Sequence, residues 1–222
     1  MNITYDMASD QDNYIEAYSS ELNEALLWID SETNIRTNHA RMLSGPQQGR
    51  LLEMVARMLK ARNILEIGTF TGYSAICLAL GLTNDGHLDA IEINDKHEQL
   101  IREGISRAGL SDKISLYFGD AKEIIPTFQK RYDLQKRYDL IFIDANKREY
   151  CLYYDLVFDL LNSGGYILAD NVLWNGKVFQ EPTPADAQTK EIVRFNKKIK
   201  EDPRVENFIL PLRDGLNIIR KL

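Results

Sequence analysis

Several protein classes need features this chain has little of. No apolar run approaches the ~20 residues that cross a bilayer. The longest, Ala75–Leu82, has the length of a helix core, so no membrane span is expected. Basic residues do not predominate: 27 Lys and Arg stand against 33 Asp and Glu, a net charge of −6. A nucleic-acid grip needs the opposite balance. The two cysteines, Cys77 and Cys151, sit in apolar or aromatic surroundings without metal or redox spacing. They read as reduced thiols in a cytoplasmic protein. The opening MNITYDMASDQDNY is acidic and polar, unlike a signal or transit peptide. His39, His87 and His97 have no ligand spacing to one another and follow none of the site strands inferred below. Surface or satisfied-core roles are expected for them.

What is present suits one sizeable core: 222 residues, 44% of them apolar. Residues 1–222 are expected to form one domain, with 1–60 a helical lead-in and 61–222 an α/β core. In the lead-in, Ile15, Tyr18, Leu22, Leu26 and Ile29 recur at helical steps, as do Leu51, Leu52, Val55, Met58 and Leu59. From Asn63 the pattern alternates. Apolar runs at Ile64–Ile67, Leu88–Ile91, Ile114–Phe118, Leu140–Ile143 and Tyr166–Ala169 are separated by helical segments at Ser74–Leu80, Lys96–Arg107, Lys122–Phe128 and Tyr150–Leu161. Strands joined by helices imply right-handed crossovers and a doubly wound, mostly parallel sheet. Val205–Leu210 and Leu216–Ile219 are linked by only Pro211–Gly215, so the last strand is expected to run antiparallel. A helix at about Asp186–Lys200 precedes them, with Thr183-Pro184 as its start signal.

Ligands of such sheets bind beyond the carboxyl ends of the strands. After the first strand comes Glu66-Ile67-Gly68-Thr69-Phe70-Thr71-Gly72-Tyr73-Ser74. Its glycines permit a tight turn and close approach of a ligand, or serve turn geometry alone. Phe70 stands where the dinucleotide fingerprint has glycine, which argues against a dehydrogenase. Glu66 is an acid inside an apolar strand, costly to bury unless it is bonded. The turn's own N–H groups or a cationic nucleoside ligand would relieve it. Glu92 closes the second strand, where an acid can accept ribose hydroxyls. Asp95 and Glu98 beyond it have the spacing of a helix cap. Asp120 closes the third strand, either as a cap or as an adenine contact.

The fourth and fifth strands end in Asp144-Ala145-Asn146-Lys147 and Asp170-Asn171. As neighbours about 4.8 Å apart, they would bring Asp144, Asp170 and Asn171 together as an all-oxygen half-shell. That donor set suits Mg²⁺, with Mn²⁺ or Ca²⁺ as substitutes. The loop DANK has no proline, unlike the Pro-Pro loops of nucleic-acid amine methylation. A cofactor- and metal-binding module without catalysis is the alternative.

LEIGTFTGYS, Glu92, FIDANK and ADNVLWNG together resemble the cation-dependent class I S-adenosylmethionine O-methyltransferases, the catechol and caffeoyl-CoA type. The likeness runs from about His39 to the closing LPLRDGLNIIRK. It implies a Rossmann-like seven-stranded sheet and methyl transfer from S-adenosylmethionine to a small aromatic diol. Met42, Glu66, Gly68, Tyr73, Ser74, Glu92, Asp120 and Asp144 would line the cofactor. Asp144, Asp170 and Asn171 would hold the metal, and Lys147 would be the base. A homodimer is implied as well. Asn146 departs from the family's aromatic or acidic residue, which would alter the acceptor wall. Trp174 falls where the acceptor pocket belongs.

The hexapeptide QKRYDL occurs twice in tandem, at 129–134 and 135–140. Asp144 pins the following strand, so the first copy is surplus. It is expected to form a looped-out or partly helical insertion at the amino ends of the strands, away from the chemistry.

Overall fold

The computed structural model describes residues 7–131, 137–181, 183 and 185–222. Its elements run α1 Met7–Ala17, α2 Glu24–Arg36, α3 Gly45–Met58, β1 Asn63–Ile67, α4 Tyr73–Leu80, β2 His87–Glu92, α5 Glu98–Arg107, β3 Ile114–Phe118 and α6 Ala121–Arg131. Then follow β4 Tyr138–Ile143, α7 Tyr150–Phe158, β5 Leu161–Asp170, α8 Ala187–Glu201, β6 Val205–Leu210 and β7 Leu216–Lys221. The seven strands form one sheet in the order β3-β2-β1-β4-β5-β7-β6. β1 to β5 pair in parallel; β7 pairs antiparallel with both β5 and β6. Strand order reverses between β1 and β4, where Ile67 faces Ile143, and that is where a crevice opens in such sheets.

Side-chain alternation divides the core into two layers. Ile64, Leu140 and Phe142 pack with α2 to α5 on one face. Leu65, Ile67, Ile141 and Ile143 pack with α6 to α8 on the other. Among the described residues no helix is long and apolar enough to cross a membrane.

The structure differs from the sequence expectations in four places. The periodic run from Ile15 to Ile29 is two helices, because the Asn23 side chain accepts the Ala25 N–H at 2.9 Å and starts α2 afresh. Tyr18 is left exposed. The fourth crossover helix, α7, ends at Phe158, and β5 begins at Leu161 instead of Tyr166. Gly164-Gly165 are not a break between elements; they lie in β5 opposite a register shift between Tyr138 and Leu140. α8 begins at Ala187, capped by Asp186, whose carboxylate accepts the Thr189 N–H; the start signal at 183–184 lies ahead of it. The turn after β2 is capped by Asn94, which accepts from Lys96 N, and not by Asp95 with Glu98.

The first three residues of the surplus copy, 129–131, continue α6, in line with a partly helical insertion; residues 132–136 of the doubled hexapeptide lie outside the described residues. The second copy enters β4. Its Tyr138 hydroxyl donates to buried Asp89 at 2.7 Å, and its Asp139 accepts the backbone N–H groups of Arg62 and Asn63 at 2.8 and 3.0 Å. These contacts lie at the amino ends of β1 and β4.

Candidate functional site

A cavity of about 850 Å³ opens at the carboxyl ends of β1, β2, β4 and β5. Its cofactor half begins at the β1–α4 turn. Gly68 has φ +94, and a Cβ there would stand 2.3 Å from the Asp144 carbonyl oxygen. Gly72 has φ +96, and a Cβ there would meet Ile101 at 3.2 Å. The two glycines therefore admit neighbouring parts of the protein, the end of β4 and α5, and Gly68 also lines the cavity.

The turn's N–H groups also have a different partner from the one expected. Thr69 N and Phe70 N donate to Glu92 Oε2 at 3.0 and 2.6 Å, and Asn94 N donates to Oε1 at 2.9 Å. Glu92 is thereby held in one orientation on the cavity wall. Glu66 lies beneath the turn, fully buried, and does not reach that wall. Its Oε2 accepts the Thr69 hydroxyl at 2.7 Å, while Oε1 has no partner. Burial pushes its carboxyl up to about 8, against the lowering influence of the nearby Ser74 and Thr69 hydroxyls.

Tyr73 and Ser74 open α4 on the same wall, with the Tyr73 hydroxyl buried and unpartnered. Asp120 also lines the cavity. It accepts the Lys122 N–H at 2.9 Å, so the capping role is real while one face of the residue remains toward the space. Met42, 53% exposed, lies at the lip on a short turn, Ala40–Met42.

The other half gathers Asp144, Lys147, Asp170 and Asn171. Lys147 is buried, not a solvated helix-start lysine, and its Nζ donates to Asp144 Oδ1 and to the Tyr150 hydroxyl, each at 2.6 Å. Tyr150 in turn donates to the Asp170 carbonyl at 2.9 Å. Asp170 accepts Asn171 N at 2.8 Å on Oδ1 and Gln48 Nε2 at 2.7 Å on Oδ2. Burial first, and then the charge of Asp144, push Asp170 up to about 6. A buried carboxylate facing a second one fits a hard cation. Among the described residues no cluster of three or more His, Cys, Asp or Glu could hold a metal, so the candidate set is two carboxylates completed by an amide. Asn146 lines the cavity and spends its side-chain oxygen on Arg148 N at 3.2 Å. Trp174 lines it too, with a buried indole N–H that lacks a partner.

His39 and His97 also line the cavity; His39 is exposed, as expected, and His97 is half-buried, edge-on to Phe70 at 5.4 Å. The sequence reading missed Gln48, Tyr150, Arg213 and Asp214. Only Tyr150 carried a local signal, lying three residues after Lys147 and so on the same side of a helical turn.

Comparison with known proteins agrees with this fold. The O-methyltransferase family profile matches residues 16–222. Caffeoyl-CoA O-methyltransferase 2 of Populus trichocarpa is 35% identical over 189 residues, covering 82% of this chain and 75% of that protein. The O-methyltransferase TomG of Streptomyces achromogenes, involved in tomaymycin synthesis and solved with S-adenosylmethionine, superposes with a TM-score of 0.89 at 28% identity over 96% of both chains. An O-methyltransferase of Bacillus cereus, solved with S-adenosylhomocysteine, gives 0.85 at 30% identity over 97% of both. The chain therefore belongs to the O-methyltransferase family, among the S-adenosylmethionine-dependent class I enzymes that its motifs resemble.

Proposed function

We infer that the chain methylates one hydroxyl of a small aromatic vicinal diol, of the kind carried by the caffeoyl group of its plant relatives' substrate, in a site built for a divalent cation. The observation that carries this is the meeting of Asp144, Asp170 and Asn171 on one cavity wall beside a buried lysine. Those three would hold the cation, Mg²⁺ by the hardness of the donors, and once bound it would acidify an adjoining hydroxyl. S-Adenosylmethionine supplies a methyl group on a cationic sulfur that leaves readily.

The protein's own part is mostly placement. Glu92, already oriented by three N–H donors, suits the ribose hydroxyls. Asp120 suits the adenine amine, and Tyr73 with Ser74 suits the polar end of the methionine moiety. Met42 covers the methyl, and Glu66 supports the turn from below. Holding donor and acceptor together can contribute ~7–11 kcal/mol. In its neutral form Lys147 would take the acceptor's proton: its Nζ lies between Asp144 and Tyr150, against the space the diol must enter. Trp174 offers its free indole N–H to a polar substituent of the acceptor.

Lys147→Ala and Asp144→Ala, each titrated with Mg²⁺, test the assignment. The aspartate change is expected to abolish metal stimulation. The lysine change is expected to lower kcat by roughly 10²–10⁴ with metal affinity retained. Normal turnover in both variants would defeat the reading.

A further inference from the structure

The outer part of this cavity wall, His39 to Met42, has little of its own to keep it in place, while Leu43 and Ser44 behind it are buried. It holds one short turn, whose backbone bonds are local: Met42 N to the His39 carbonyl at 2.8 Å and Leu43 N to the Ala40 carbonyl at 3.0 Å. His39, Arg41 and Met42 are exposed. Two side chains nevertheless tie this stretch and the helix after it to distant parts of the chain. Gln48 reaches Asp170 at the end of β5. Arg213, in the turn between β6 and β7, donates from Nη1 to the Leu43 carbonyl at 2.7 Å and also to the Ser44 carbonyl.

Arg213 holds this grip from a left-handed backbone, φ +50, which costs a non-glycine residue about 1–2 kcal/mol. Strain of this kind persists where the surroundings fix it, often at functional sites. Its neighbour Asp214 makes the opposite grip. Its carboxylate accepts Asn175 N at 2.6 Å, and its carbonyl accepts Leu173 N at 2.9 Å. Both residues line the cavity. Adjacent residues of one short turn thus hold the cofactor-side cover and the acceptor-side segment together.

We propose that the β6–β7 turn is a bracket across the site, and that Arg213 is its positioning residue for the cofactor half, fixing the Leu43–Ser44 backbone so that the cover closes on the bound nucleoside. This rests on the cofactor half-site assigned above. Arg213 acts through backbone carbonyls, so its loss should cost affinity for the cofactor more than it costs the fold. Glycine at 213 also relieves the left-handed backbone, which offsets any loss of stability from the missing side chain.

The test is calorimetric titration of S-adenosylhomocysteine into wild type, Arg213→Gly and Arg213→Lys, each checked for melting temperature. Releasing one or two residues of the cover should weaken Arg213→Gly by about tenfold, from a backbone ordering cost of about 1–2 kcal/mol per residue. Its melting temperature should match or exceed wild type. Lysine, which keeps the charge and a donor nitrogen without the planar guanidinium that fixes it, should fall between. Millimolar guanidinium should restore part of the loss in the glycine variant and none in wild type. Equal affinity for wild type and Arg213→Gly overturns the proposal, as does a loss of affinity that only tracks a falling melting temperature. If the glycine variant does not fold, full affinity in Arg213→Lys with no dependence on guanidinium overturns it as well. If wild type fails to bind S-adenosylhomocysteine, the cofactor half-site itself falls and the bracket falls with it.

Discussion

Replacing Glu66 with glutamine should stabilise the ligand-free protein, and do so only as pH rises. Glu66 is fully buried with one oxygen unpartnered, and its carboxyl is pushed from 4.5 up to about 8. The folded protein keeps this proton where the unfolded chain has released it. The native state therefore binds more protons between those two values, and stability falls as pH climbs through the window. At about 1.36 kcal/mol per unit, the full interval is worth roughly 4–5 kcal/mol. Below the unfolded value both states are protonated and the term vanishes. Glutamine is neutral at every pH, keeps an oxygen for the Thr69 hydroxyl, and carries no such slope. Glu66→Gln should be less stable than wild type by about 1–3 kcal/mol near pH 4.5, from the unpaired amide, and exceed it by about 1–3 kcal/mol at pH 7.5. For a protein of this size that is a rise of roughly 2–10 °C in melting temperature. Urea denaturation of both proteins across this pH range, in EDTA and without cofactor, measures it. Parallel stability curves would refute the argument, because they would mean that Glu66 does not change its proton occupancy on folding.

Gly68→Ala should destabilise by roughly 2–5 kcal/mol, from the left-handed backbone and from overlap with the Asp144 carbonyl; a circular-dichroism melt near wild type would contradict the fit described for β1 against β4. Cation affinity, followed by Mn²⁺ electron spin resonance, should fall by about tenfold per unit below pH 6, as Asp170 must give up its proton. Flat affinity down to pH 5 would remove Asp170 from the donor set. Deleting 129–134 leaves Tyr138 and Asp139 with their partners, so turnover and melting temperature should stay near wild type. A large loss of turnover in the folded deletion would give the repeat a function.

The strand ends were legible because each is an apolar run closed by an acid: Glu92, Asp144 and Asp170 all sit where such a reading puts them. Glu66 was misplaced for a reason also written in β1. It shares its face with Ile64, which packs against α2 to α5, while Leu65 and Ile67 point the other way, so alternation sends its carboxylate under α4 and not into the cavity. Gln48 on Asp170 and Arg213 on Leu43 span 122 and 170 residues. No local pattern announces contacts of that range; they exist only once the sheet order has folded both ends of the chain around the crevice. The break at Asn23 was hidden by periodicity that continues across it, since capping is decided by one side chain and apolar spacing by five.

The most direct test is transfer of a labelled methyl group from S-adenosylmethionine to paired acceptors, one a 3,4-dihydroxyphenyl compound and the other its single-hydroxyl counterpart, with Mg²⁺ and with EDTA. The account predicts one monomethylated product from the diol alone, lost in EDTA and restored by excess Mg²⁺. Equal methylation of the single phenol, or transfer that EDTA leaves untouched, would contradict it.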